Sequence, residues 1–279
     1  MEIIRYDESY LDPQTKVGFL QQNSVRETAP LHTHDFFEIF LVSHGKALHL
    51  VNQTVQPLEA GDLVLIRPAD VHCYDFYSSY DFRLINIAFP LSTMTAVSEL
   101  LLPQTPLAPL LASPLPPSVK LTPQQTAEAA DQLAHTAWAR DNISPQNAYC
   151  YFRSLLAFLL CRYFFSGEMD RPAIPDWLAA AVAQMRSIEN FRAGLPRFLA
   201  LAHCSEEHLC REFKKYYHTT PLKFVNAQRL HYSLYLLSNT GLEIVEVAAQ
   251  CGFQNLSHFY HLFRAQFGTS PGKYRAQSP

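Results

Sequence analysis

The chain has six cysteines (Cys73, Cys150, Cys161, Cys204, Cys210 and Cys251) but no CxxC pair or regular spacing among them. That excludes a thiolate zinc cluster and a disulfide framework, and leaves reduced thiols. No segment approaches eighteen consecutive apolar residues, so no membrane-spanning helix is expected. The opening Met1-Glu2-Ile3-Ile4-Arg5-Tyr6-Asp7 lacks a basic region followed by an apolar run, so the expectation is a cytoplasmic protein. Low-complexity tracts are absent, and charge is modest: 17% charged residues and a net charge of −3. The charge is unevenly spread, however. From Asp176 onward 11 Lys/Arg face 7 Asp/Glu, whereas the remainder holds 11 against 18. A mildly basic C-terminal third behind an acidic body suits contact with nucleic acid by that third. At 279 residues there is room for two domains, each with its own core.

Short β-branched runs dominate from Val17 to Phe89: Glu38–Val42, Ala47–Val51, Asp62–Ile66 and Arg83–Phe89. Turn signals at Ser43-His44-Gly45, Ala60-Gly61-Asp62 and Arg67-Pro68-Ala69-Asp70 separate them, which predicts an antiparallel sheet assembly without internal repeat. Residues 91–120 are rich in Leu and Pro and do not read as one continuous helix. Amphipathic helices are expected over Pro123–Arg140 and Pro145–Phe165, the second apolar along Tyr149, Phe152, Leu155, Leu156 and Leu159. Gly167 to Pro175 reads as a linker, and everything after Asp176 as helical. The fold class expected is therefore α+β multidomain: residues 1–120 a β domain, 121–170 a helical element that serves dimerisation, and 171–279 an all-α domain.

The most informative stretch is the last forty residues. Ile244, Val247 and Ala248 share one helical face that ends at Gly252. Phe259, Leu262 and Phe263 then repeat at helical spacing, with Ser257, Tyr260, His261 and Arg264 on the other face. Two short helices about a glycine turn fit a helix-turn-helix reader of the DNA major groove, or an ordinary helical hairpin. The wording favours the former. Ile244, Ala248, Gly252, Phe253, Phe259, Phe263, Gly268, Ser270, Pro271, Tyr274 and Arg275 resemble the signature of the AraC/XylS family of bacterial transcription regulators.

A weak repeat precedes it. Leu195–Ala202 forms a first helix, and Ser205 can cap a second over Glu206–Tyr217 with Leu209 and Phe213 inward. This resembles the family's first helix-turn-helix, including its Phe213-Lys214-Lys215 ending. Thr220-Pro221 opens a long helix that, by the same resemblance, links two DNA-reading units. The outward positions are Glu207, Cys210, Arg211 and Lys214 on the first reader, and Leu256, Ser257, Tyr260, His261 and Arg264 on the second. Arg211 suits a bidentate contact to guanine. Lys214, Lys215, Arg264 and Lys273 suit phosphate contacts that set register. His261 stands where the family more often has arginine, and a neutral imidazole adds no charge. The resemblance gives Arg275, after the packed Tyr274, a structural role.

In the N-terminal half, His32-Thr33-His34-Asp35-Phe36-Phe37-Glu38, followed by Gly45, resembles the first cupin motif, and Gly61 to His72 resembles the second. The resemblance implies a β-barrel into which His32, His34, Glu38 and His72 point. In metal-binding cupins these positions hold a divalent ion, and imidazole with carboxylate suits Zn, Fe, Mn or Ni. In regulators of the AraC type the same pattern commonly lines an effector pocket without a catalytic metal. The second motif departs from the cupin form at Asp70, where glycine is expected, and Asn86 lies too far on. Aromatic residues are dense nearby: Phe36, Phe37, Phe40, Tyr74, Phe76, Tyr77, Tyr80 and Phe82. Aromatic faces beside polar groups suit a pyranose. Arg67 or Arg83 suits a phosphate or carboxylate.

Together the resemblances imply a homodimeric transcription regulator and not an enzyme. It would bind a double-stranded operator, contact RNA polymerase, and answer to a small effector, with a carbohydrate or sugar phosphate expected. Two alternatives are a cupin metalloprotein or metalloenzyme with a helical tail, and a DNA-binding protein whose cupin is only a scaffold.

Overall fold

The computed structural model describes residues 3–101, 111, 113, 115–165 and 174–278. Among the described residues nine strands occupy the N-terminal half: β1 (Ile4–Tyr6), β2 (Gly18–Ser24), β3 (His32–His34), β4 (Phe37–Val51), β5 (Thr54–Glu59), β6 (Asp62–Ile66), β7 (His72–Asp75), β8 (Asp81–Phe89) and β9 (Ser118–Lys120). They form one curled sheet in the order β1-β3-β7-β4-β6-β9, with β8 joining β4 to β2 and β5 pairing β4. The pairs β2–β8, β3–β7, β4–β6, β4–β8 and β6–β9 are antiparallel. The expectation of a wholly antiparallel assembly needs one correction, since β1 runs parallel to β3.

Side chains alternate between the two faces of a strand, and both faces are buried here. Phe37, Ile39 and Leu41 of β4, Leu63 and Leu65 of β6, and Ile87 and Phe89 of β8 face one core. Against them pack helix α1 (Leu91–Leu101) through Met94 and Val97, α2 (Pro123–Asn142) through Leu133, and α3 (Pro145–Leu159) through Phe152 and Leu156. The intervening residues Phe40, Val42, Val64, Ile66, Phe82 and Leu84 build a second cluster inside the barrel. Each large apolar side chain so buried contributes about 1.5–3 kcal/mol, and the register locks the two sets to their faces. The helices of the 121–170 element thus share the sheet's own core.

Local chemistry fixes where those helices start. Thr122 and Gln125 form a capping box with Pro123 in the first turn, and the Ser144 side chain accepts from Asn147 N–H ahead of α3. Beyond Leu159 the helix continues as a π-helical turn, Leu160–Phe165. Within 91–120 the chain is helical to Leu101 and extended at β9; residues 102–110, 112 and 114 lie outside the described residues. So does the expected linker, except Ile174 and Pro175.

The chain divides into two units. One comprises Met1–Ala47, Leu58–Tyr74 and Ser79–Arg171; the other comprises Leu48–Pro57, Asp75–Ser78 and Pro172–Pro279. The second unit contains α4 (Asp176–Met185), α5 (Ile188–Ala193), α6 (Leu195–Ala202), α7 (Glu206–Tyr217), α8 (Pro221–Asn239), α9 (Ile244–Gln250), α10 (Leu256–Phe267) and α11 (Pro271–Gln277). Leu178, Met185, Phe191, Phe198, Leu209, Phe213 and Val225 form its first core. Phe259, Phe263 and Tyr274 are buried in its last third, their rings in edge contact. Midway along α8, Arg229 donates through Nε to Phe191 O at 2.9 Å and through Nη2 to Arg192 O at 2.8 Å. Gly252, at φ +89°, turns the chain beside the same carbonyl, and a Cβ there would lie 2.5 Å from Arg192 O. Only glycine fits that close approach in that conformation. No helix among the described residues is long and apolar enough to cross a membrane.

Candidate nucleic-acid interface and effector cavity

Helices α7 and α10 are each fixed at their start by a side-chain cap. Ser205 Oγ accepts from His208 N–H at 3.3 Å to open α7, and Asn255 Oδ1 accepts from His258 N–H at 3.0 Å to open α10. His218 and Gly268 close them in the left-handed conformation. Leu209 and Phe213 anchor α7 inward, as Phe259 and Phe263 anchor α10, all fully buried. Leu262, expected in the inward stripe, is only half-buried.

The outward residues follow from that anchoring. Glu207, Arg211, Lys214 and Lys215 are exposed on α7, with Cys210 half-buried. The Arg211 guanidinium rests on its own helix, 3.2 Å from Glu212 Oε1 and 2.7 Å from His208 Nδ1. On α10, Ser257, Tyr260, His261 and Arg264 line one shallow concavity of about 360 Å³. Lys273 is exposed on α11, beyond it. Arg275 Nε donates to Leu237 O at 3.3 Å, which ties α11 to α8.

In the barrel, alternation along β3 buries His32 and His34 and leaves Thr33 half-exposed between them. His32 stands directly opposite His72 in the β3–β7 pairing. Glu38 begins the inward-facing set of β4, and its Oε2 lies 3.7 Å from His34 Nε2 and 3.9 Å from His72 Nε2. Burial pushes the Glu38 carboxyl up to about 7, a hydrogen bond with Asn86 opposing it. Burial likewise pulls His34 down to about 4 and lowers His32. Burial thus disfavours the charged forms of His32, His34 and Glu38.

A cavity of about 840 Å³ opens beside this cluster. Of the sequence-derived candidates, His32, Phe36, Glu38, His72 and Tyr74 line it. Phe36 is stacked on His34 at 4.4 Å and 7°. Three other candidates require correction. Phe40 is wholly buried in the barrel core and meets Tyr74 edge-on. Arg67 is consumed by a bidentate pair with Asp70 and by the carbonyls of Leu111 and Ser113. Arg83 sits exposed near Asp81 and does not border the cavity. Phe76 and Tyr77 belong to the Asp75–Ser78 segment of the other unit.

Sequence reasoning missed Tyr6, Tyr10, Asn86, Arg140 and Asp141, all of which line the cavity. Asn86 was within reach of a strand argument, because it pairs with Phe40 and so shares Glu38's face. Tyr6, Tyr10, Arg140 and Asp141 carried no signal, since they arrive from segments far apart in the chain. Arg140 and Asp141 form an ion pair at 2.8 Å. The cavity therefore offers aromatic faces, hydrogen-bonding groups and one charged pair.

Comparison with known proteins follows the same division. Residues 18–146 match the model of the AraC-like ligand binding domain, and residues 199–277 match a helix-turn-helix domain. The HTH-type transcriptional activator RhaR of Klebsiella pneumoniae subsp. pneumoniae is 30% identical over 254 residues, covering 88% of this chain and 87% of that protein. RhaR of Salmonella typhimurium is 28% identical over 251 residues, covering 88% and 86%. A crystal structure of apo ToxT from Vibrio cholerae aligns over 94% of this chain and 97% of its own, at 12% identity and a TM-score of 0.41.

Proposed function

This chain belongs to the AraC family of DNA-binding transcription regulators, and we propose that a small polyhydroxylated effector, a sugar or sugar phosphate, binds its barrel cavity and sets its hold on an operator. The family consists of regulators, not enzymes, which sets aside the metalloenzyme alternative.

The observation that carries the effector reading is the composition of the 840 Å³ cavity wall. Tyr6, Tyr10 and Phe36 offer faces for the C–H side of a pyranose, while Asn86, Glu38 and Tyr74 offer hydrogen bonds to its hydroxyls. Arg140 takes the anion-binding role first assigned to Arg67 or Arg83, since a phosphate at the rim would compete with Asp141 for its guanidinium. An effector acts only by binding one state of the protein better than another, so its effect on operator affinity must equal the operator's effect on its own.

On DNA, α7 and α10 would each present an exposed polar face to a major groove. Arg211 would leave Glu212 and His208 for the edge of a guanine, at little cost because that pairing is solvent-exposed. Lys214, Lys215, Arg264 and Lys273 would meet phosphates. We further infer a cytoplasmic homodimer through the outer side of α2 and α3, where Trp138 and Phe158 are exposed, placed beside a promoter within reach of RNA polymerase.

Fluorescence anisotropy with labelled duplexes tests the reading. Binding should weaken steeply with salt. Arg211→Ala should reduce discrimination between sites by about 1–3 kcal/mol, while Lys214→Ala should lower affinity on all sequences alike. Titration with sugars and sugar phosphates should shift the operator isotherm. A set of such ligands that neither shifts it nor stabilises the protein would sink the effector reading and leave the DNA reading standing.

A further inference from the structure

Helices α7 and α10 are one element used twice. Both have 12 residues, and α10 starts and ends 50 residues after α7. Ser205 and Asn255 cap them, and His218 and Gly268 close them. Leu209 with Phe213, and Phe259 with Phe263, anchor them inward. Their outward faces can therefore be compared position by position. Arg211 of the first corresponds to His261 of the second, and Glu206, Glu207 and Cys210 correspond to Leu256, Ser257 and Tyr260.

The first turns differ most. In α7 the first turn carries two exposed carboxylates, Glu206 and Glu207, whose charge suits the positive end of a helix. In α10 it carries no acid. It opens instead on Leu256, 39% exposed, with Tyr260 one turn further along the same edge. A solvent-facing leucine adds nothing to a helix start that the Asn255 side chain already caps.

We propose that Leu256, with the ring of Tyr260 beside it, reads thymine by packing against its C5-methyl group in the major groove. This role presupposes the DNA reading proposed above and narrows it to a base. The N-terminal turn of a recognition helix is the part that reaches base edges, and thymine alone among the four bases presents a methyl group there. Ser257, His261 and Arg264 share one concavity with Tyr260, so polar groups flank the apolar edge. The first reader has the opposite chemistry at the corresponding places. Arg211 suits the two acceptors of guanine, and Glu207 suits the amino group of cytosine. The operator should therefore place a G·C-bearing segment under α7 and a thymine-bearing segment under α10, always in the same order. Such a half-site has a direction, and each copy of the chain is oriented by it.

The test begins with the full chain and duplexes selected from a library randomised over about 21 base pairs, two turns of the double helix. Each thymine of a selected duplex is then replaced by uracil, which removes the methyl group and keeps the base pair. Wild-type protein should lose about 4-fold in affinity at one or two thymines of a single segment, the worth of one buried methyl group. Leu256→Ala should bind the thymine and uracil duplexes equally, while Leu256→Met, which keeps an apolar reach, should retain the preference. Thermal unfolding confirms that both variants are folded. Uracil tolerated at every position by the wild type, or a thymine preference kept in Leu256→Ala, overturns this role and leaves the DNA reading standing. Failure to enrich any duplex removes the DNA reading, and this role with it.

Discussion

The two functional regions of this chain are built on opposite principles. In α7 and α10, the proposed reading helices, the candidate side chains point outward and only their anchors are buried: Leu209 and Phe213 under α7, Phe259 and Phe263 under α10. In the barrel the working side chains are themselves buried, and His34, Glu38 and His72 are held by strand register rather than by caps. An exposed arginine or lysine can be exchanged at little cost to folding, so reading specificity is free to drift. A buried carboxyl or imidazole is coupled to stability, so a change in the cavity is felt by the whole unit.

The largest expected effect would break the helical half by attacking its framework. Gly252→Val would force a β-branched residue to φ +89° and set its Cβ against the Arg192 carbonyl. A loss of about 3–5 kcal/mol in urea unfolding is expected, from backbone strain together with the clash, and duplex binding should be lost with it. Full stability in that variant would mean that the turn is not as tight as described.

Next comes the barrel, where the sign of the pH effect separates burial from pairing. Glu38 is raised from 4.5 to about 7, so the folded chain holds a proton between those values that the unfolded chain has released. The stability it contributes is therefore fully present below 4.5 and is lost as pH rises through about 7. Glu38→Gln removes that dependence. In metal-free protein the variant should exceed the wild type by about 2–3 kcal/mol at pH 8, with no such gain at pH 4. His34, lowered to about 4, works in the opposite direction: its contribution is present above the ordinary histidine value and lost in acid. That term is common to both proteins and cancels in the difference. A gain of equal size at both pH values would remove the account of Glu38.

The smallest effect sharpens the comparison. Asn255→Ala deletes the cap of α10 while touching no buried side chain. About 1 kcal/mol of stability should be lost, with duplex affinity reduced further than that figure implies, because the first turn of the reader frays. An affinity unchanged within error would show that DNA itself supplies the cap.

This contrast also explains what could be read from the residues alone. The reading helices obey local rules: Ser205 and Asn255 cap, Pro221 opens α8, and apolar residues repeat at helical spacing, so their limits and faces were legible. The histidine cluster was legible too, because His32 and His34 lie two apart on a strand and their motif supplied the rest. The remainder of the cavity was not. Tyr6, Tyr10, Asn86 and Arg140 meet only after the sheet has curled and α2 has packed, and no short-range pattern encodes that meeting. Arg67 misled for the contrary reason. Its partner Asp70 is three residues away, near enough in the chain to form the pair that removes it from service.

Arg229 has a consequence for the geometry of the operator. By donating to the Phe191 and Arg192 carbonyls from the middle of α8, with the Gly252 turn packed on the same point, it would make the span between the two proposed readers a ruler. Two readers at fixed separation sense helical phase as well as sequence. One base pair inserted between the segments they read turns the second by about a tenth of the duplex's 10–10.5 bp repeat. A stiff ruler cannot follow that rotation, so a spacing change that leaves every contacted base intact should still abolish tight binding, and loosening Arg229 should make the protein more tolerant of it.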